Sequence, residues 1–197
     1  MPLRRTLVAL TLVALPIVAA VACSSDPYAP KALYPVSIDT FRVVALNGTS
    51  AEAQSGVRLL TASTTVPDFS QAFDFALDID ADGKVVLLPR SKVMTCTSIC
   101  QLGVKVIPTD SVEFDKLYDA PKAGYTYDSV TTIPVGATVA FVTKDIFCQQ
   151  SNISTYDLYA KMIVDSVHMS DRSLFVRLVS DPNCGFRGLV PGIVPGH

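Results

Sequence analysis

Apolar and polar residues alternate with a period of two over short stretches of this chain, and Gly, Pro, Asn and Asp punctuate the stretches. Leu158, Ala160, Met162 and Val164 fall on one face of a single run, and Leu174, Val176 and Leu178 repeat the pattern in the next. The polar stretch His168-Met169-Ser170-Asp171-Arg172 between them reads as a hairpin loop. The same pattern predicts strands at Ser37 to Leu46, Val57 to Ala62, Ala72 to Ile79, Lys84 to Leu88, Leu102 to Ile107, Ser129 to Ile133 and Ala137 to Lys144. Helical periodicity is almost absent. One short connecting helix is expected at Ser111 to Tyr118, where Asp110 and Glu113 have capping-box spacing and Pro121 follows. With no internal repeat, the pattern predicts an all-β protein, an antiparallel β-sandwich with one short connecting helix.

The first residues follow a different rule. Arg4-Arg5 precede an apolar stretch from Leu7 to Ala20, broken only by Thr11 and Pro16, and small residues then lead to Cys23. This three-part order is that of a secretory signal, and the stretch is shorter than the roughly 20 residues that span a bilayer. No later segment approaches that length, so a polytopic helical membrane protein is excluded. The expected organisation is a signal peptide over 1–22, a tether over 23–34 carrying Pro27 and Pro30, and a single sandwich domain over 35–197. Ala20-Val21-Ala22-Cys23 resembles the lipobox of bacterial lipoproteins. That resemblance implies that Cys23 becomes the acylated first residue, carrying a palmitate-type anchor. Ser24, standing where aspartate would signal inner-membrane retention, implies the outer membrane. The competing reading is an ordinary signal peptide cut near Ala22, with Cys23 free or paired.

Composition narrows the function classes. Removing 22 residues from 197 leaves 175, and the loss of Arg4 and Arg5 leaves 14 basic against 18 acidic residues, a net charge of −4. A basic nucleic-acid binder is disfavoured on that balance. Of the 18 acids, only Glu52 and Glu113 are glutamate, which again speaks against a helical protein.

Four cysteines follow Cys23, namely Cys96, Cys100, Cys148 and Cys184. In an exported chain an even number predicts two disulfides. Of the three connectivities, Cys96–Cys100 and Cys148–Cys184 are expected, since the near pair can meet across a turn and the distant pair would pin the last hairpin. Chain entropy alone assigns about 2 kcal/mol to the first and about 4 kcal/mol to the second. The alternative use of the Cys-x3-Cys pair is a copper site completed by His168 or Met94, as in copper-delivery proteins of the thioredoxin fold, whose strand–helix–strand units this chain does not show.

Asp78-Ile79-Asp80-Ala81-Asp82-Gly83 matches the opening of a calcium loop, but Pro89 stands where the twelfth-position Glu belongs. An Asp-Gly hairpin between two strands accounts for the same residues without an ion. Catalysis has little to draw on: the two histidines are His168, in the expected loop, and His197, the last residue, and no Gly-rich phosphate loop or His-x-x-x-His pair occurs. No enzyme and no cofactor are therefore expected. The stretch Asp181 to Gly188 is dense in turn formers around Cys184 and reads as a closure of the domain, with Arg187 a possible anion contact.

Phe73-Asp74-Phe75-Ala76-Leu77-Asp78, Ala120-Pro121 with Gly124-Tyr125, Val139 to Thr143, and Tyr159-Ala160-Lys161-Met162-Ile163-Val164 occur in an order that resembles uncharacterised bacterial lipoproteins and, more distantly, HmuY-type haem-capturing β proteins. The likeness covers roughly residues 72 to 180. It implies a β-rich exported fold. HmuY-type capture uses paired axial histidines, whereas this mature chain offers His168 and a terminal His197. The expected function is thus a lipid-anchored envelope module that binds an envelope protein or small ligand, or serves structurally, without catalysis. Capture of a metal or haem by the domain is the alternative.

Overall fold

Alternation decides the layers. The computed structural model describes residues 31–68, 72–96, 101–145, 147–148 and 157–195, and those from Ala32 onward belong to one compact unit. In chain order the strands are β1 Ser37–Val44, β2 Gly56–Arg58, β3 Ser63–Thr65, β4 Phe75–Ile79, β5 Val85–Pro89, β6 Leu102–Ile107, β7 Thr126–Tyr127, β8 Thr131–Ile133, β9 Thr138–Lys144, β10 Asp157–His168 and β11 Ser173–Asp181. They form an antiparallel six-stranded sheet, β1-β11-β10-β9-β6-β7, and an antiparallel five-stranded sheet, β3-β2-β4-β5-β8. One four-residue helix, Arg90–Val93, follows β5. The protein is an all-β sandwich.

The predicted inward faces meet between the sheets. Leu158, Ala160, Met162 and Val164 of β10 and Leu174, Val176 and Leu178 of β11 lie in one buried cluster with Val57, Phe75, Leu77, Ile79, Val85 and Leu87 from the smaller sheet. Phe75 stacks on Phe141 of β9 across the gap, with ring centroids 5.0 Å apart. The β10–β11 hairpin turns at Met169 to Arg172, as expected from its polar loop, and a register shift between Val164 and Ser166 bends β10 beyond that core.

The outer face of the larger sheet is also partly buried, which the alternation did not foretell. Val36, Phe114, Ala120, Ile163, Val179 and Leu189 form a second cluster there, and Ile107, Leu117 and Ala140 a third. Two irregular segments lie over this face. Ala120 N–H donates to the Arg187 carbonyl and Leu189 N–H to that of Tyr118, joining the connector after β6 to the C-terminal segment.

The connector corrects the expectation of a helix at Ser111 to Tyr118. Only a 3-10 turn forms, at Phe114–Lys116, and Glu113 makes no side-chain cap there. Instead the Lys161 ammonium, on the outward face of β10, donates to the carbonyls of Phe114 and Leu117 at 2.8 and 2.9 Å. Those carbonyls are ones that a continuing helix would use for its own ladder, and burying Phe114 and Leu117 outweighs one turn of helix. The segment is a core element, not a mere connector.

Strand limits shift as well. The Val57 to Ala62 run ends its pairing at Arg58, because residues 59–62 make the β2–β3 turn and Ala62 takes φ 46°. The Ala72 to Ile79 run pairs only from Phe75, and the Ser129 to Ile133 run only from Thr131.

Candidate functional site

Because β1, β9, β10 and β11 are neighbours in one antiparallel sheet, the start of β1, the end of β9, the start of β10 and the end of β11 lie together at one end. The other end gathers the β4–β5 hairpin, the β10–β11 turn and the chain leaving β1. These two ends hold most of the residues the sequence singled out.

At the first end, β11 stops at Asp181 and the chain turns back through Pro182 and Asn183. Asn183 Oδ1 accepts the N–H groups of Leu33 and Tyr34 at 2.7 and 2.9 Å, and its Nδ2 donates to the Tyr34 carbonyl and to Asp181 Oδ1, each at 2.7 Å. Asp181 Oδ1 also accepts the Asn183 N–H. The segment entering β1 is thereby clipped to the strand that ends the sheet. Asp181 is fully buried, its Oδ2 has no hydrogen-bond partner among the described residues, and desolvation pushes its carboxyl up to about 6.

The Cys148–Cys184 disulfide forms beside this clip, as the preferred pairing expects, and joins the segment after β9 to the segment after β11. Cys96 is also in a disulfide. Cys100, Cys23 and His197 lie outside the described residues.

Asp74 joins the two sheets at the same end. Its Oδ2 accepts the Leu59 N–H at 2.7 Å and its Oδ1 the Thr143 hydroxyl at 3.1 Å. Desolvation raises its carboxyl to about 6, against the lowering effect of these hydrogen bonds.

An apolar surface completes the first end. Tyr34, Pro35, Leu60, Phe147 and Pro182 line an open depression of about 400 Å³, with no charged side chain among them.

The opposite end is polar. Asp78 is buried in β4, where it accepts the backbone N–H and side-chain amide of Asn47 and pairs with Arg172 at 3.4 Å. Arg172 also donates to the carbonyls of Asn47 and Ile79, at 2.9 and 2.6 Å. A residue of the large sheet's hairpin thus grips the small sheet. Asp80 Oδ1 accepts the N–H groups of Asp82 and Lys84, and Asp82 pairs with the Lys84 ammonium at 3.2 Å. The three carboxylates of the calcium-like motif therefore take separate protein partners. Gly83, at φ 79°, closes the Asp-Gly hairpin.

The copper set is not brought together. His168 ends β10 at the polar end, edge-on to Phe175, while Cys96 precedes β6, whose first residue pairs with Thr143 near the other end. A sulfur held in a disulfide also has no thiolate to offer a soft metal. Met94 stands at the C-cap of the short helix. Among the described residues no group of three or more His, Cys, Asp or Glu is placed to hold a metal ion.

Two further groups escaped the sequence. Lys161 is buried beneath the connector, its Nζ also 4.8 Å from the Phe114 ring centre, and desolvation lowers its pKa. A lone Lys in an alternating strand reads as solvent-facing, and only the cover on the outer face changes that. Arg187, the possible anion contact, donates from Nε and Nη2 to the Ala120 carbonyl and so fastens the C-terminal segment to the connector. No helix among the described residues is long and apolar enough to cross a membrane. No protein-family model, curated protein or solved structure matches this chain.

Proposed function

We infer that this chain is an exported, lipid-anchored envelope protein whose β-sandwich acts as a non-catalytic binding or structural module. The observation that carries the non-catalytic reading is the use to which reactive side chains are put. Asp78, Lys161, Arg172 and Arg187 each hold separate segments of the fold together, Asp181 fixes the turn through Asn183, and Cys148 and Cys184 are joined to each other. Side chains spent on internal partners are not poised to exchange protons or electrons with a substrate.

The anchor reading rests on Ala20-Val21-Ala22-Cys23 after the apolar stretch. It makes residues 23–34 a tether and places the domain at the outer membrane, where its partner is an envelope protein or small ligand and not a nucleic acid. Mass analysis of the N-terminal peptide from membrane-extracted protein is the test. An acylated cysteine as first residue is expected, and Cys23→Ala leaves the leader uncut or releases the chain to the soluble fraction. A membrane-bound, normally processed Cys23→Ala protein would sink the anchor. Metal and haem analysis of the same preparation separates the module from a capture protein: a stoichiometric metal or a Soret band overturns the first reading in favour of the second.

A further inference from the structure

We propose that the apolar end formed by Tyr34, Pro35, Leu60, Phe147 and Pro182 rests on the lipid surface to which the chain is anchored. The inference deepens the lipid-anchor reading and rests on it. Three features of the structure point to a bilayer as the occupant.

The first is position. The clip from Asn183 to Leu33 and Tyr34 fixes the place where the tether reaches the domain, and Tyr34 and Pro35 themselves line the depression. Tyr34 stands only eleven positions after Cys23. A stretch of that length spans at most about 40 Å even when fully extended. An anchor at Cys23 therefore keeps the apolar end within that distance of the lipid, and a weak attraction acts at the high effective concentration that tethering supplies.

The second is composition. Tyr34 is 52 % and Phe147 42 % exposed, Leu33 beside them is 72 % exposed, and the lining is entirely apolar or tyrosine. Aromatic rings of this kind, apolar in the body and polar at the tip in tyrosine, settle at the membrane–water boundary. The third is polarity. The opposite end of the sandwich is built from Asp80, Asp82, Lys84, Asp171 and Arg42, whose charges are solvent-exposed or paired at the surface, whereas at the first end Lys144 and Asp157 neutralise each other at 2.9 Å and neither lines the depression. Docking through the apolar end points this charged end away from the lipid, toward partners.

The experiment uses the mature acylated protein at one copy per nanodisc, with phosphatidylethanolamine and phosphatidylglycerol at three to one and a phospholipid bearing a photoreactive acyl chain. Adducts mapped by mass spectrometry are expected on peptides containing residues 33–35 and 147, and not on those containing Tyr118 or Met169, which are comparably exposed elsewhere. Phe147→Asp lowers the adduct yield at residues 33–35 roughly tenfold, as a loss of about 1.4 kcal/mol would. The Cys148–Cys184 bridge, checked by non-reducing mapping, reports that this variant is folded. Adducts confined to the tether overturn docking while leaving the anchor intact. Oxidative footprinting of Cys23→Ala protein without lipid supplies the other arm. If Tyr34 and Phe147 label more slowly than Tyr118 there, the end is covered by the chain itself or by a second copy and the proposal fails. An N-terminal peptide without acyl groups sinks the anchor and this inference together.

Discussion

Burial moves the Asp74 and Asp181 carboxyls from 3.8 in water to about 6. Between those values the folded protein holds protons that the unfolded chain has released, so stability falls as pH rises through this window and levels off above it. The sign is opposite to that of a salt-bridged aspartate. Denaturant titrations from about pH 4 to about pH 7 read the slope. Asp181→Asn keeps an Oδ1 for the two Asn183 donors and removes one titrating group, so the decline should shrink to about half; an unchanged slope would place the protons elsewhere. At the polar end, Arg172 sends three hydrogen bonds across the sheets to Asn47, Asp78 and Ile79. Arg172→Ala should cost about 1–3 kcal/mol, because it leaves buried acceptors short of donors. Arg172→Lys should recover less than half of the loss, as one ammonium lacks the fork that serves separate acceptors. Equal stability of the Lys variant and the native protein would show that only the charge matters.

Neighbouring strands approach closely at Gly103 in β6. A Cβ there would stand 2.6 Å from Val142 Cγ1 of β9 and 2.9 Å from Tyr127 Cε1 of β7. Gly103→Ala should therefore destabilise the protein by about 1–3 kcal/mol through overpacking, with β7 the first strand to lose protection in hydrogen exchange. Stability equal to the native protein's would mean that β7 simply moves aside. The residues themselves explain which elements could be read from the chain. β10 and β11 are long, each carries an unbroken apolar inner face and they are joined by a polar turn, so local pattern and tertiary demand agree, and the Asp-Gly hairpin between β4 and β5 is likewise written in its own residues. β7, two residues long, and β3, three, have no period to detect. The missed cover on the outer face is a different failure. Asp110 and Glu113 carry a spacing that suits a helix start, and what defeats the helix is Lys161, forty-four residues away from Leu117. Long-range partners of this kind leave no local trace, and the same holds for Asp78 with Arg172 and for Asn183 with Tyr34. Among the candidate residues, the Cys148–Cys184 pair was legible because an even number of cysteines and the closeness of Cys96 to Cys100 leave it as the distant pair; the roles of Asp74, Asp181 and Lys161 depend on burial and were not.

For the molecule as a whole, the Cys148–Cys184 bridge spans 36 residues and ties the end of the large sheet to the segment leading into β10. Chain entropy puts its contribution at about 4 kcal/mol, so Cys148→Ala with Cys184→Ala should lose about 2–4 kcal/mol by urea denaturation. A bridge between Cys96 and Cys100 closes a much shorter loop, and peptide mapping should show it to be the pair that a mild reductant opens with little change in the midpoint. Free thiols at both positions would return weight to a metal. The pairing of β1 with β11 has a further effect, one of timing. Ser37 stands opposite Ser180, and the Ser37 hydroxyl donates to the Ser180 carbonyl across 143 residues of chain. The first strand to emerge during synthesis must wait for the last before its edge is covered. Every intermediate length lacks the sheet's closing neighbour and the Asn183 clip, so the nascent chain has no finished domain to fall into. Such a topology folds slowly and late. Were the chain exported as proposed above, that delay would help it, because the architecture itself keeps the chain pliable until β11 has crossed.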